Sequence, residues 1–205
     1  MLLRVIMAGI VVLLLFTTVE AAKPAKINCL ECHDGIDKGK SVHPALAMGC
    51  DSCHTNIDAA DVPHRNRGKI AKGLSASQPE LCYGCHNKEL FRKKNVHPAL
   101  AMGCTTCHSP HASKAESLLA QPVGKVCTSC HEKQSSGKHV MAAFSAVDDH
   151  PLKGKTDPAK SRQELSCISC HNPHSSSQQK LFTNETKSPA NLCLMCHQKI
   201  SVRAN

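Results

Sequence analysis

Seven times along this chain of 205 residues, a cysteine is followed by two residues, a second cysteine and a histidine. The copies are Cys29–Cys32–His33, Cys50–Cys53–His54, Cys82–Cys85–His86, Cys104–Cys107–His108, Cys127–Cys130–His131, Cys167–Cys170–His171 and Cys193–Cys196–His197, and they use all 14 cysteines. Two thiols at this spacing can add across the two vinyl groups of one porphyrin, while the adjoining imidazole binds its iron from one face. The implied cofactor is therefore covalently bound haem c, with seven attachment sites and seven irons. Structural zinc sites and disulfides also use paired cysteines. Neither requires a histidine after every second cysteine. Zinc sites also take their pairs two at a time, and seven is odd.

Seven histidines remain outside the motifs: His43, His64, His97, His111, His139, His150 and His174. One spare imidazole per iron is what ligation from both faces needs. Their positions follow an internal repeat. The segment Val42-His-Pro-Ala-Leu-Ala-Met-Gly-Cys50 recurs letter for letter as Val96-His-Pro-Ala-Leu-Ala-Met-Gly-Cys104. Each unit reads as motif, spacer, His-Pro, motif, then Pro-His. The units run over 29–64, 82–111 and 127–174, and a single motif at 193–197 follows. His43, His97 and His150 take the His-Pro slot; His64, His111 and His174 take the Pro-His slot. His139 falls outside the repeat, and either serves the seventh haem or lies free. Met48, Met102, Met141 and Met195 are alternative sulfur donors. At Met48 and Met102 packing is the better reading, because the adjacent His-Pro slot already offers a nitrogen.

Tether length limits which iron each histidine serves. His111 follows His108 by three residues, and His174 follows His171 by three. Three residues span at most about 11 Å, too short to carry a side chain around a porphyrin edge. These two histidines are expected to reach a neighbouring haem. The His-Pro histidines of the first two units follow the preceding motif histidine at more than three times that separation, enough to wrap around their own haem.

The elements that position these groups are short. Residues 1–21 read as a signal peptide: Arg4 is the basic start, Val5–Phe16 is a short apolar run, and Val19-Glu20-Ala21 suits cleavage after Ala21. An uncleaved anchor is the alternative. Cleavage leaves 22–205 as a single seven-haem domain, with little chain for each motif. Excluding cysteine, less than a third of that domain is apolar, and much of the apolar share is alanine. The whole chain has no Trp, one Tyr and four Phe. That is too little large apolar material for a conventional core. The expected fold class is mainly short α-helices and loops with little regular structure, organised around a chain of porphyrins. Ser77-x-x-Glu80 has capping-box spacing before Cys82. Asp157-Pro158 and Ser188-Pro189 suggest helix starts before Cys167 and Cys193. Ser175-Ser176-Ser177-Gln178-Gln179 and Gln134-Ser135-Ser136-Gly137 read as flexible loops, and no convincing strand is visible.

The formal charge of +9 invites a nucleic-acid or anionic-membrane reading. Two propionates per haem against a ferric porphyrin core of +1 shift it to about +2 oxidised, and to about −5 reduced. Lysines and arginines then serve mainly to neutralise propionates, and no nucleic-acid partner is expected. The runs Arg92-Lys93-Lys94 and His64-Arg65-Asn66-Arg67-Gly68-Lys69 are candidate docking patches.

These motifs and slots resemble the multihaem c-type cytochromes with doubled Cys-x-x-Cys-His motifs, over roughly 27–197. The first unit departs from the pattern, since its Pro-His comes only at Pro63-His64; the third departs through its long spacer and extra His139. The resemblance implies a periplasmic electron carrier of anaerobic respiration or extracellular electron transfer, with the extracellular space or outer-membrane surface as alternative locations. It also implies redox partner proteins: other cytochromes, quinol-oxidising or outer-membrane components. No membrane span is expected after signal cleavage. With both axial positions filled, the chain is expected to be a carrier and not an enzyme. The alternatives are a reductase of nitrite, hydroxylamine or a sulfur oxyanion with one open haem, or a filament-forming cytochrome. A chain with so small an apolar complement folds through its cofactors. Protein made without haem maturation should show a coil-like circular dichroism spectrum and no cooperative melt.

Overall fold

A turn of helix closes at every cysteine motif. The N–H of each motif histidine donates to the carbonyl of the first cysteine, four residues back, at 2.9–3.0 Å in all seven. Residues at i, i+3 and i+4 share a helix face, so the turn brings both cysteines and the histidine to one side. It is a 3-10 segment at Cys29–Glu31, Cys50–Ser52 and Cys104–Thr106. Elsewhere it belongs to short α-helices: α1 (Glu80–Tyr83), α2 (Val123–Thr128), α3 (Cys167–Cys170) and α4 (Pro189–Leu194). The computed structural model describes residues 27–135, 138–139, 150–151, 154–158, 160–183 and 189–197. The signal segment 1–21 lies outside them.

The two copies of the nine-residue repeat fold alike. Pro44–Met48 and Pro98–Met102 are matched 3-10 turns, each entered from an extended histidine, His43 or His97. Each ends on a left-handed glycine, Gly49 at φ 94° and Gly103 at φ 90°, a conformation that side chains disfavour. A Cβ at Gly103 would also sit 3.2 Å from Gln78 Oε1. The glycine turns the chain straight into the next cysteine. Ser52 and Thr106 then donate from their hydroxyls to the carbonyls of Met48 and Met102, at 2.8 and 2.9 Å.

Eight short strands pair as four antiparallel ribbons among the described residues. They are β1 (Ser41–Val42), β2 (Asn95–Val96), β3 (Ala112–Ser113), β4 (Lys138–His139), β5 (His150–Pro151), β6 (Thr156–Asp157), β7 (Lys160–Glu164) and β8 (Ser175–Ser176). The pairs are β1–β3, β2–β8, β4–β5 and β6–β7. In β1–β3, Ser41 lies opposite Ser113 and Val42 opposite Ala112. The ladder continues one step further, where the His43 N–H donates to the His111 carbonyl at 2.7 Å. In β2–β8, Asn95 lies opposite Ser176 and Val96 opposite Ser175, and the His97 N–H donates to the His174 carbonyl at 2.9 Å. Both ribbons join one sequence unit to the next.

Four sequence expectations need correction. The expected absence of strands fails because seven of the eight strands are only two residues long, too short to show a period of two. Ser77 does not cap α1 with its side chain; its backbone carbonyl accepts from the Leu81 N–H at 2.9 Å. Asp157 lies in β6 and is buried, not at a helix start; α3 is capped by Ser166 and Ser169, whose side chains satisfy each other's backbone N–H. Ser175 and Ser176 form a buried strand and not a loose loop. Of the other expected loop, Gln134 ends a 3-10 turn and Ser136-Gly137 lie outside the described residues.

Leu165 is the single buried apolar side chain among the described residues, while Ser113, Asp157, Ser175 and Ser176 are buried and polar. Backbone hydrogen bonding and buried hydroxyls, not an oil-like core, therefore hold this polypeptide locally. Ser175 shows the role. It is fully buried, accepts from the Lys93 N–H at 3.2 Å and donates to the Leu90 carbonyl at 2.8 Å. Ser175→Ala leaves both groups without that partner and should destabilise the holoprotein by about 1–3 kcal/mol, read as a lower midpoint in a guanidinium titration.

Candidate functional site

Each described histidine outside the motifs faces a motif histidine across a gap of nearly constant width. The ring centroids lie 5.8 Å apart for His64 and His33, and 6.1 Å for His43 and His86. They lie 6.1 Å apart for His111 and His54, 6.1 Å for His97 and His131, and 5.9 Å for His174 and His108. Direct ring stacking would bring imidazoles closer. A metal–imidazole bond of about 2 Å, with about 1.1 Å from nitrogen to ring centre on each side, gives roughly 6.2 Å across one iron. The gaps fit an iron held from both faces.

The pairing crosses the sequence units. His111 stands against His54 and not His108; His174 stands against His108 and not His171. His43 and His97 could have wrapped around their own haems by tether length. They stand instead against His86 and His131, the first motif histidines of the following units. Among the described pairs, His64 alone faces a motif of its own unit. The side chains of His139 and His150, and Met141, lie outside the described residues.

Second partners orient the imidazoles. His54 Nδ1 lies 2.8 Å from the Lys72 carbonyl, His108 Nδ1 3.0 Å from the Ser117 carbonyl, and His171 Nδ1 2.7 Å from the Lys180 carbonyl. A carbonyl can only accept, so Nδ1 carries the proton and Nε2 keeps its lone pair for a metal. Lys72, Ser117 and Lys180 are left-handed, at φ 61°, 54° and 53°. Non-glycine residues held there cost about 1–3 kcal/mol each. The same strained turn thus serves the second motif of all three units. His64 Nδ1 is held likewise, 2.7 Å from the Asp61 carbonyl. The sequence reading missed these turns. Their one signal is Lys72-Gly73, since Ser117-Leu118 and Lys180-Leu181 carry no turn residue.

Burial holds the His97, His111 and His174 imidazoles below the ordinary histidine range, and the facing His131, His54 and His108 add to the effect. Neutral imidazole is the form that ligates iron. The cysteines are ordered too. Burial pushes the Cys82 thiol up to about 11, helped by a hydrogen bond with Cys104. Burial, with a hydrogen bond to Cys29, raises Cys50; a hydrogen bond to Cys167, with burial, raises Cys127 strongly. Cys53 lies near enough to Cys82, and Cys107 to Cys127, to act on them electrostatically. Burial raises Cys170, with Cys196 and Cys193 nearby. Neighbouring motifs therefore adjoin in chain order.

The surface fits a planar apolar group as well. Val42 and Val96 are each 48% exposed, and Met48 and Met102 are 64% and 58% exposed. Apolar side chains left open at equivalent places beside His43 and His97 are what a porphyrin would cover.

Attachment turns repeated along the chain, with imidazoles set to grip iron from opposite sides, define a multihaem c-type cytochrome. The chain belongs to the doubled CXXCH motif family, which matches it over residues 43–90, 97–136 and 157–202. These segments join the second motif to the third, the fourth to the fifth and the sixth to the seventh, and leave the first outside. The chain is 29% identical over 175 residues to the multiheme cytochrome MtrA of Shewanella baltica, covering 80% of this chain and 46% of that protein. It is 24% identical over 172 residues to the dissimilatory sulfite reductase MccA of Wolinella succinogenes, covering 72% of this chain and 22% of the relative. It is 31% identical over 120 residues to the cytochrome c-type protein NrfB of Haemophilus influenzae, covering 50% of this chain and 52% of the relative. The chain thus spans about half or less of these relatives.

The left-handed turns give a direct test. Ser117→Val puts a β-branched side chain at φ 54°, and should lower holoprotein stability by about 1–2 kcal/mol. Ser117→Gly keeps the carbonyl and should not lower it. Guanidinium titration of both variants checks the pair.

Proposed function

We propose that the chain is an electron-transfer protein with haem at all seven motifs, each iron held by two histidines. The observation that carries this reading is the set of five imidazole pairs at 5.8–6.1 Å. Bound haem supplies one-electron chemistry at its iron, and two-histidine ligation keeps potentials low relative to histidine–methionine sites. The polypeptide supplies the rest. Paired imidazoles would hold a bound iron from both faces and leave it no coordination position for a substrate. The carbonyls of Lys72, Ser117 and Lys180 fix the ring orientation and basicity of three motif histidines.

Proximity of successive motifs supports a path that follows chain order from Cys29 to Cys196. Cys104 lies close enough to Cys82, and Cys167 to Cys127, to raise the thiol it adjoins. The reading extends to an exported carrier in the periplasm or at the cell exterior, serving anaerobic respiration or extracellular electron transfer and exchanging electrons with other redox proteins. Three relatives named as a multiheme cytochrome, a sulfite reductase and a cytochrome c-type protein support redox work of this kind. Among the described residues, no helix is long and apolar enough to cross a membrane.

Electron paramagnetic resonance of the oxidised holoprotein tests this, with an iron count and carbon monoxide titration of the reduced form. The expected result is seven irons per chain, all low-spin, with no carbon monoxide adduct. A high-spin haem that binds carbon monoxide would replace this reading with that of a reductase.

A further inference from the structure

The third ribbon repeats the first two in register but not in connection. In β1–β3 the ladder ends on His43 opposite His111, and in β2–β8 on His97 opposite His174. In β4–β5, His139 lies directly opposite His150, next to Lys138 opposite Pro151. Each of these three ribbons thus sets a His-Pro histidine across from a second histidine. Their ring partners obey one rule in the two ribbons whose side chains are described. The His-Pro member faces the first motif of the following unit, as His43 faces His86 and His97 faces His131. Its cross-strand partner faces the motif just before that one, as His111 faces His54 and His174 faces His108.

Applied to the third ribbon, the rule assigns both remaining histidines. His150 precedes Pro151 and is the His-Pro member, so its motif is Cys193–Cys196–His197. His139 is the cross-strand member, so its motif is Cys167–Cys170–His171. The first two ribbons draw the cross-strand histidine from the next unit, three residues after a motif histidine. The third unit supplies that strand from its own spacer instead. Its spacer, from His131 to His150, is nearly twice as long as those from His33 to His43 and from His86 to His97. This longer spacer carries both β4 and the histidine of β5.

We propose that His139 is the distal ligand of the haem at Cys167–Cys170–His171 and His150 that of the haem at Cys193–Cys196–His197, so that the long spacer supplies both histidines of its junction through β4 and β5. This rests on the reading that every iron is held by two histidines.

Electron paramagnetic resonance and haem content of full-length holoprotein test the assignment, in the intact chain and in a Cys193→Ala/Cys196→Ala background that lacks the last haem. His139→Ala should turn one haem in seven high-spin, and one in six in the second background. His150→Ala should turn one in seven high-spin, and none in six. An all-low-spin His139→Ala protein overturns the proposal, as does a reversal of the two responses in the six-haem background. If the alanine variant does not mature, His139→Met keeps a ligand in place. It should then show a methionine–iron charge-transfer band and one haem of raised potential, and absence of that band also overturns the proposal. A high-spin haem before any substitution would instead overturn the two-histidine reading itself.

Discussion

The fixed distance between two imidazoles is the constraint on which the rest of this molecule depends. Each described pair joins positions far apart in the sequence, from His33 with His64 to His108 with His174. A contact that closes a long loop removes much of the freedom of the open chain. In a chain whose described residues bury one apolar side chain, such long-range fixed points do what a hydrophobic core does elsewhere. The short ribbons and 3-10 turns then need only hold each histidine at the right height and angle.

Legibility in the sequence followed this division. The attachment sites could be read because covalent chemistry demands an invariant local spacing, and the helical turn from Cys29 to His33 recurs at every copy. The histidine slots could be read because Val42–Cys50 and Val96–Cys104 are identical. Which motif each slot faces could be narrowed only where a tether was short, as at His111. At His43 the tether allowed two outcomes, and the choice came from β1–β3, whose two-residue strands carry no pattern of their own. The carbonyl turns at Ser117 and Lys180 were invisible for a related reason. Tertiary context imposes a left-handed backbone there on residues with no preference for it.

Those turns separate the motifs into two kinds. At the second motif of each unit, a left-handed residue directs its carbonyl to the motif histidine: Lys72 to His54, Ser117 to His108 and Lys180 to His171. The following carbonyl then accepts the N–H one or two residues past that histidine, Gly73 from Asn56, Leu118 from Ser109 and Leu181 from Asn172. One strained dipeptide thus braces both the ring and the backbone of a metal-binding residue. A strained turn kept at three equivalent places is a bracing device and not a local accident.

The ribbon ladder has a consequence for how such a chain changes length. His43 and His111 are joined backbone to backbone at 2.7 Å, yet face different motifs. The first two junctions therefore each take a histidine from both sides. Removing or inserting one motif alone would strand an imidazole on one side and an iron on the other. Removing or inserting a pair, with its own slots, leaves each junction complete. Chains of this design should lengthen in steps of two, like a polymer whose repeat is a dimer. Contacts confined to adjacent repeats then let an added pair be accommodated without remodelling the distant end.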